Sequence, residues 1–271
     1  MSRRIGVCSW SLQPANHDEL ALQVRAAGCR ALQLHLDPLR GGWDEAQTIE
    51  ALQGFELCSG MMSMEGEDYT TLETIKRTGG VRPDETWEQN LTAAQANAAL
   101  AERLGITLVT FHAGWIPHEE SDPERDTMVD RLRALQRVFA EHGVVIALET
   151  GQETAETLLD VLAELPGVGV NFDPANMLLY AMGDPHDALE QLGERVVQLH
   201  IKDANRTTMP GTWGEEVPVG EGEVDWERFL SIADRVCPDV DLLIEREAGT
   251  QRVQDIASAR SMLEQMVGVA G

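Results

Sequence analysis

Lysine is nearly missing from this sequence of 271 residues: Lys76 and Lys202 are the only two, and arginine supplies the rest of the 21 basic side chains. Against them stand 46 acidic residues, giving a formal net charge of −25. A surface of that sign repels phosphate backbones, so non-specific nucleic-acid binding is excluded as a function class. Cysteine is scarce too. Cys8, Cys29, Cys58 and Cys237 form no CxxC pair, which argues against a zinc ribbon or a secreted disulfide framework and for a reducing compartment. No apolar run approaches the roughly 18 residues a membrane helix needs. The opening MSRRIGVCSWSLQP carries two arginines but no apolar stretch of signal-peptide length. The expected setting is therefore cytoplasmic, with no membrane or nucleic-acid partner. What is present is a large core: 43% of residues are hydrophobic and 25% charged, a balance that excludes wholesale disorder.

Short apolar runs alternate with longer amphipathic stretches from end to end, the pattern of an α/β fold. Strands are expected at 4–9, 31–36, 55–59, 107–112, 144–149, 167–173, 196–201 and 241–245. Helices are expected at 17–27, 43–52, 84–104, 123–142, 154–165, 185–192, 225–236 and 251–267. Pro83 precedes the third helix, and Gly105 and Gly143 close the two long ones before a strand. Eight βα units without a linker-like composition shift predict one (β/α)8 TIM-barrel domain over 1–271, a length that suits it. A doubly wound sheet is disfavoured because no GxGxxG follows the first strand. Segments 61–82 and 203–223 both follow a strand and exceed a simple turn, so they are expected to cover the site.

Five later strands stay apolar or small until their last position, then end in a metal-capable side chain: TLVTFHAG, VVIALETG, VGVNFDPAN, VVQLHIKD and DLLIEREAG. Period-two alternation puts Glu149 with Val145 and Ala147, Asp173 with Gly169 and Asn171, His200 with Gln198 and Lys202, and Glu245 with Leu243. The opposite faces, with Ile146, Leu148, Val170, Phe172, Val197, Leu199, Ile201 and Ile244, suit contact with outer helices. Glu149, Asp173, His200 and Glu245 then converge at the top of one barrel. Taken singly, an acidic residue ending a strand is more often a helix cap, and Asp173 before Pro174 is a plausible turn start. Three carboxylates cannot gather in a dry site as bare anions, so one divalent cation is expected. Hard oxygens with one imidazole favour Mn²⁺, Mg²⁺ or Co²⁺, with Zn²⁺ as a further option.

At these residues, and most specifically in ALETG, NFDPANM, LHIKDANR and LIERE, the chain resembles the sugar phosphate isomerase/epimerase superfamily. These are the xylose isomerase-like barrels that include ketose 3-epimerases, inosose dehydratases and endonuclease IV. The resemblance covers most of the chain and is weakest at 61–82. It implies a Mn²⁺-like ion on Glu149, Asp173, His200 and Glu245, an enediolate mechanism on a ketose or keto-sugar, and Glu149 and Glu245 as the acid/base pair. Arg206 matches a substrate-binding arginine. Three departures stand out: Asn176 replaces a substrate-binding histidine, Asp203 a glutamate, and Lys202 a glycine. Family barrels often pair through their outer helices, so a homodimer is expected.

His112 is a further candidate for a substrate hydroxyl, or for a second metal of the kind bound in endonuclease IV. Lys202 could orient a substrate oxygen or pair with Asp203; a Schiff-base role is disfavoured beside a dication. Gln152 and Trp10 are expected to line the pocket, and Trp43, Trp87, Trp115 and Trp213 are candidate stacking faces. Three other functions compete. A metal-dependent lyase or dehydratase uses the same enolate and is the leading alternative. An abasic-site endonuclease is opposed by the charge of −25 and seven scattered histidines. A non-catalytic sugar-binding barrel has no need of three converging carboxylates. The charge also favours an unphosphorylated sugar.

Overall fold

Apolar runs rich in Val, Leu and Ile, bounded by glycine or polar turns, fold as short strands. In the computed structural model, which describes residues 3–267, they are β1 (Ile5–Cys8), β2 (Ala31–His35), β3 (Glu56–Met61), β4 (Leu108–Phe111), β5 (Val145–Glu149), β6 (Gly169–Phe172), β7 (Val196–Ile201) and β10 (Asp241–Ile244). All eight are parallel and follow one another around a closed barrel, whose seam is β1 against β10, with Ile5 opposite Leu242 and Val7 opposite Ile244. Two shorter strands, β8 (Asp203–Asn205) and β9 (Glu215–Val217), form a separate antiparallel ribbon.

The helices are α1 (His17–Ala26), α2 (Asp37–Arg40), α3 (Glu45–Ala51), α4 (Leu72–Thr78), α5 (Asp84–Arg103), α6 (Pro123–Ala140), α7 (Ala155–Glu164), α8 (Pro174–Leu179), α9 (Pro185–Leu192), α10 (Trp226–Val236) and α11 (Arg252–Met266). Local chemistry sets their ends. Asn16, Asp44, Thr154 and Asp225 each accept the backbone N–H three residues on, which satisfies a donor the helix leaves orphaned. After α5 and α6 the chain turns on Gly105 and Gly143, at φ of 69° and 70°. There Ile106 and Val144 donate back to the carbonyls of Ala101 and Phe139, closing each helix in the left-handed turn that glycine adopts at least cost.

The faces predicted to meet the helices do so, except at Val197 near the start of β7, which is exposed. Leu148, Val170, Phe172, Leu199 and Ile201 are buried in the hydrophobic core, and the Phe172 ring lies 6.0 Å from that of Phe229 on α10. The sequence expectations fall short in the long connections. Segment 61–82 contains α4, started by a reciprocal Thr71–Thr74 capping box. Segment 203–223 contains the β8–β9 ribbon, and α2 and α8 are single-turn or near-single-turn helices directly after strands. β3 also runs two residues beyond its expected end, because Gly60 and Met61 pair with both β2 and β4. Among the described residues no helix is long and apolar enough to cross a membrane.

Candidate active site

Four strands deliver the predicted metal ligands to one point. Glu149 ends β5, Asp173 follows β6, His200 lies in β7 and Glu245 follows β10. One ligand atom from each lies within 4.8 Å of all the others, and all four residues are buried. His200 Nδ1 is 3.3 Å from Glu149 Oε1, 3.4 Å from Glu245 Oε2 and 3.8 Å from Asp173 Oδ2. Asp173 does cap a helix, but with one oxygen only: Oδ1 accepts from the N–H groups of Ala175 and Asn176, while Oδ2 is left over. That Oδ2 and His200 Nδ1 are buried atoms without a hydrogen-bond partner. Buried polar atoms are rarely left so, and acceptors gathered in this way call for a cation.

The layer beneath explains which nitrogen of His200 is free. Gln33, Ser59, Thr110, Asn171 and Gln198 point into the barrel and are buried. Gln33 Nε2 donates to the Gly60 carbonyl (3.2 Å) and to Thr110 Oγ1 (2.8 Å), so its oxygen faces the other way. A carbonyl can only accept, which fixes this orientation. Gln33 Oε1 then accepts from His200 Nε2 at 2.8 Å and from Gln198 Nε2 at 3.0 Å. Gln198 also donates to Asn171 Oδ1, which turns the Asn171 amide nitrogen toward Glu149 Oε2. Nε2 is held by Gln33 Oε1 at 2.8 Å and lies 3.0 Å from the Asn171 amide nitrogen, and this turns Nδ1 toward the three carboxylates. That is the outer-shell arrangement that orients a ligating histidine.

The carboxylates are not equivalent. Burial works to raise Glu245, yet Lys202 and His200 outweigh it and hold the group well below the usual carboxylate range. Lys202 Nζ is 2.9 Å from Glu245 Oε2, and Trp10 Nε1 donates to Oε1 at 2.7 Å. Burial also opposes ionisation of Glu149, and His112 and His200 again more than offset it. Asp173 goes the other way, raised by burial that Lys202 only partly counters. Burial disfavours a charged His200, but Cys8, Glu149 and Glu245 around it more than compensate, raising it well above an ordinary histidine. The cluster attracts positive charge, and a dication satisfies it without protonating a ligand.

A cavity of about 470 Å³ opens over these groups. Of the predicted substrate-contact residues, Trp10, His112, Asn176 and Lys202 line it. Asn176 Nδ2 donates to Glu149 Oε1 at 3.1 Å, and His112 Nε2 lies 3.5 Å from the same oxygen. Several expectations are corrected. Arg206 is not among the lining residues; it pairs with Glu223 at 2.9 Å on a half-exposed face, because the β8–β9 ribbon carries it away from the barrel mouth. Gln152 is buried beside Gly79 and does not line the cavity either. Lys202 does not pair with Asp203 but with Glu245 and Glu247. Of the four candidate stacking tryptophans only Trp213 reaches the cavity, and its buried indole N–H has no partner among the described residues. Trp115 is covered by Lys76 and Arg82, Trp87 by Arg131, and Trp43 packs on His17.

Sequence reasoning missed His35, Glu67, Tyr69, Tyr180, Glu216 and Glu247, all of which line the cavity. Glu247 had a usable signal, two residues beyond Glu245. Tyr69 and Tyr180 had another: they are the only tyrosines in the chain.

A family model described as xylose isomerase-like TIM barrel matches residues 22–266. The chain belongs to that family. Among curated relatives, the probable L-ribulose-5-phosphate 3-epimerase UlaE of Mycoplasma pneumoniae is 26% identical over 208 residues, 70% of this chain and 65% of that protein. The chain thus spans under two thirds of that relative's length. A xylose isomerase domain protein from Planctomyces limnophilus superposes with a TM-score of 0.82 at 29% identity, over 91% of this chain and 93% of that one. A xylose isomerase-like TIM barrel protein from Mycobacterium smegmatis, solved in complex with magnesium, superposes with a TM-score of 0.73 at 19% identity, over 98% of this chain and 96% of that one. Within the xylose isomerase-like family the chain therefore shares its barrel with both carbohydrate-named and metal-bound members.

Proposed function

We propose that this protein is a divalent-metal-dependent epimerase or isomerase of a ketose or keto-sugar, working through an enediolate with Glu149 and Glu245 as its acid/base pair. One observation carries the reading: three carboxylates and Nδ1 of a histidine, two of these atoms orphaned, meet within 4.8 Å beneath a cavity. Glu149, Asp173, His200 and Glu245 would hold the cation. Their oxygen-rich set suits Mn²⁺ first, with Mg²⁺, Co²⁺ or Zn²⁺ as alternatives. The magnesium of the mycobacterial barrel and the epimerase activity named for the mycoplasma relative support it. When bound, such a cation polarises a substrate carbonyl and offsets the negative charge that develops as the neighbouring C–H is broken.

The protein's own groups divide the remaining work. Glu245, kept ionised by Lys202 and His200 and held in place by Trp10, is ready to take a proton. Glu149 stands three strands away around the barrel, with β6 and β7 between, and would return a proton from another side only after taking one up itself. Asn176 fixes Glu149 Oε1 by donating to it, and His112 lies within reach of the same oxygen. General acid–base catalysis by such a pair contributes about 10²- to 10⁴-fold.

The test is proton exchange of a ketose in D₂O with Mn²⁺ titrated in. Solvent deuterium should enter the substrate beside its carbonyl only when metal is present, and Glu149→Gln and Glu245→Gln should each abolish turnover with metal still bound. Exchange that persists in chelator, or a variant keeping half its activity, defeats the assignment. Loss of water from the substrate would instead mark the lyase chemistry that the same enolate permits.

A further inference from the structure

In (β/α)8 barrels a phosphate group frequently sits on the loops after the last two strands, held by backbone N–H groups and positive charge. Here the corresponding place is already full. Glu216, on β9 of the ribbon, turns its carboxylate onto the loop that follows β10. Its Oε1 accepts from Arg246 Nη1 at 2.7 Å and from the Glu247 N–H at 2.9 Å, and its Oε2 accepts from the Ala248 N–H at 3.1 Å. Both side chains of the pair are buried, with 8% and 9% of their surfaces exposed, yet Glu216 borders the cavity. An anion with two oxygens, one guanidinium and two successive backbone donors is the chemistry of a bound phosphate. In this protein the anion is supplied by the chain.

The other receptors for an anion are occupied in the same way. Lys202 is spent on Glu245 and Glu247, and Arg246 uses its Nε on Asp255. The first N–H groups of α8 are taken by Asp173. What the cavity does offer suits a neutral polyol. Glu67 and Glu247 are acceptors for hydroxyl groups, and Tyr69, Tyr180 and Trp213 supply aromatic faces for C–H surfaces.

We infer that Glu216 fills the phosphate seat of this barrel with its own carboxylate, and that the substrate is an unphosphorylated polyhydroxy carbonyl compound. The substrate class rests on the proposed function; the filled seat does not. This separates the protein from its mycoplasma relative, whose name specifies a 5-phosphate.

The experiment has two arms, both on magnesium-loaded protein. In the first, inorganic phosphate is titrated into wild type and Glu216→Ser and followed by ³¹P NMR. The serine variant should bind phosphate at least tenfold more tightly; equal affinities would overturn the assignment of Glu216. Should that variant fail to fold, Glu216→Gln keeps the shape of the group and removes its charge. It should still gain at least threefold, and no gain would overturn the assignment equally. In the second arm, L-ribulose and L-ribulose 5-phosphate are compared by the fluorescence of Trp10 and Trp213. Wild type should prefer the free sugar at least tenfold, and Glu216→Ser should erase that preference. A wild type that holds the ester as well as the sugar overturns the substrate class. Binding of neither ligand defeats the sugar reading and the substrate class with it, while the phosphate arm alone judges Glu216.

Discussion

A buried glutamine helps to set which nitrogen of His200 faces the three carboxylates. Gln33 is anchored by the Gly60 carbonyl, so its oxygen faces His200 Nε2 at 2.8 Å. Gln33→Leu should leave all four ligands in place and still weaken Mn²⁺ binding about 10- to 100-fold, the usual cost of losing such a partner; a metal titration reads this directly. Glu153 tests electrostatics away from the ligands. It is buried, and burial pushes its carboxyl up to about 7. An acid raised in the folded state costs nothing below its unfolded value near 4.5; the cost grows between there and about 7 and is constant above. Glu153→Gln should therefore leave the melting temperature unchanged at pH 4 and raise it at pH 8, by up to about 3 kcal/mol of stability. At this scale the four ligands could be read from the sequence because each ends a strand and shares one parity. Gln33 could not be, since an amide in the middle of ALQLH carries no mark of its partner. Arg206 was misread because its local motif says nothing about the ribbon that redirects it.

Among the elements, the loop after β7 is held by one carboxylate. Asp203 accepts from the N–H groups of Ala204, Gly220, Gly222 and Val224 and from Trp226 Nε1, tying the ribbon to the start of α10. This latch needs a bare backbone at Gly222, where a Cβ would sit 2.1 Å from Asp203 Oδ1 and 2.8 Å from the Ala204 nitrogen. Gly222→Ala should cost about 1–3 kcal/mol, as overpacking does. It should also make segment 203–223 the first site of limited proteolysis; an unchanged melting curve and cleavage pattern would refute the latch. All eight barrel strands and their long helices were predictable from alternating periods and from caps such as Gly105 and Gly143. The three-residue strands β8 and β9 are too short to show a period, and for that reason Glu216, the residue with most to say about substrate, lay outside the sequence reading.

For the whole molecule, the barrel gathers three buried carboxylates in a chain that already carries a net charge of −25. On the proposed function, folding is linked to cation binding. Free Mn²⁺ at a hundred times its dissociation constant should stabilise the native state by about 2.7 kcal/mol. That should appear as a rise in melting temperature, reversed by chelator and absent in Asp173→Asn. The seam has a further consequence. Since β1 closes on β10, a polypeptide emerging from the ribosome keeps two unsatisfied strand edges until residues beyond Ile244 are made. Glu245 is the last of the four proposed ligands to be synthesised, so loading with the proposed cation would be post-translational by construction, and a nascent chain stalled before it has neither a finished wall nor a complete carboxylate cluster.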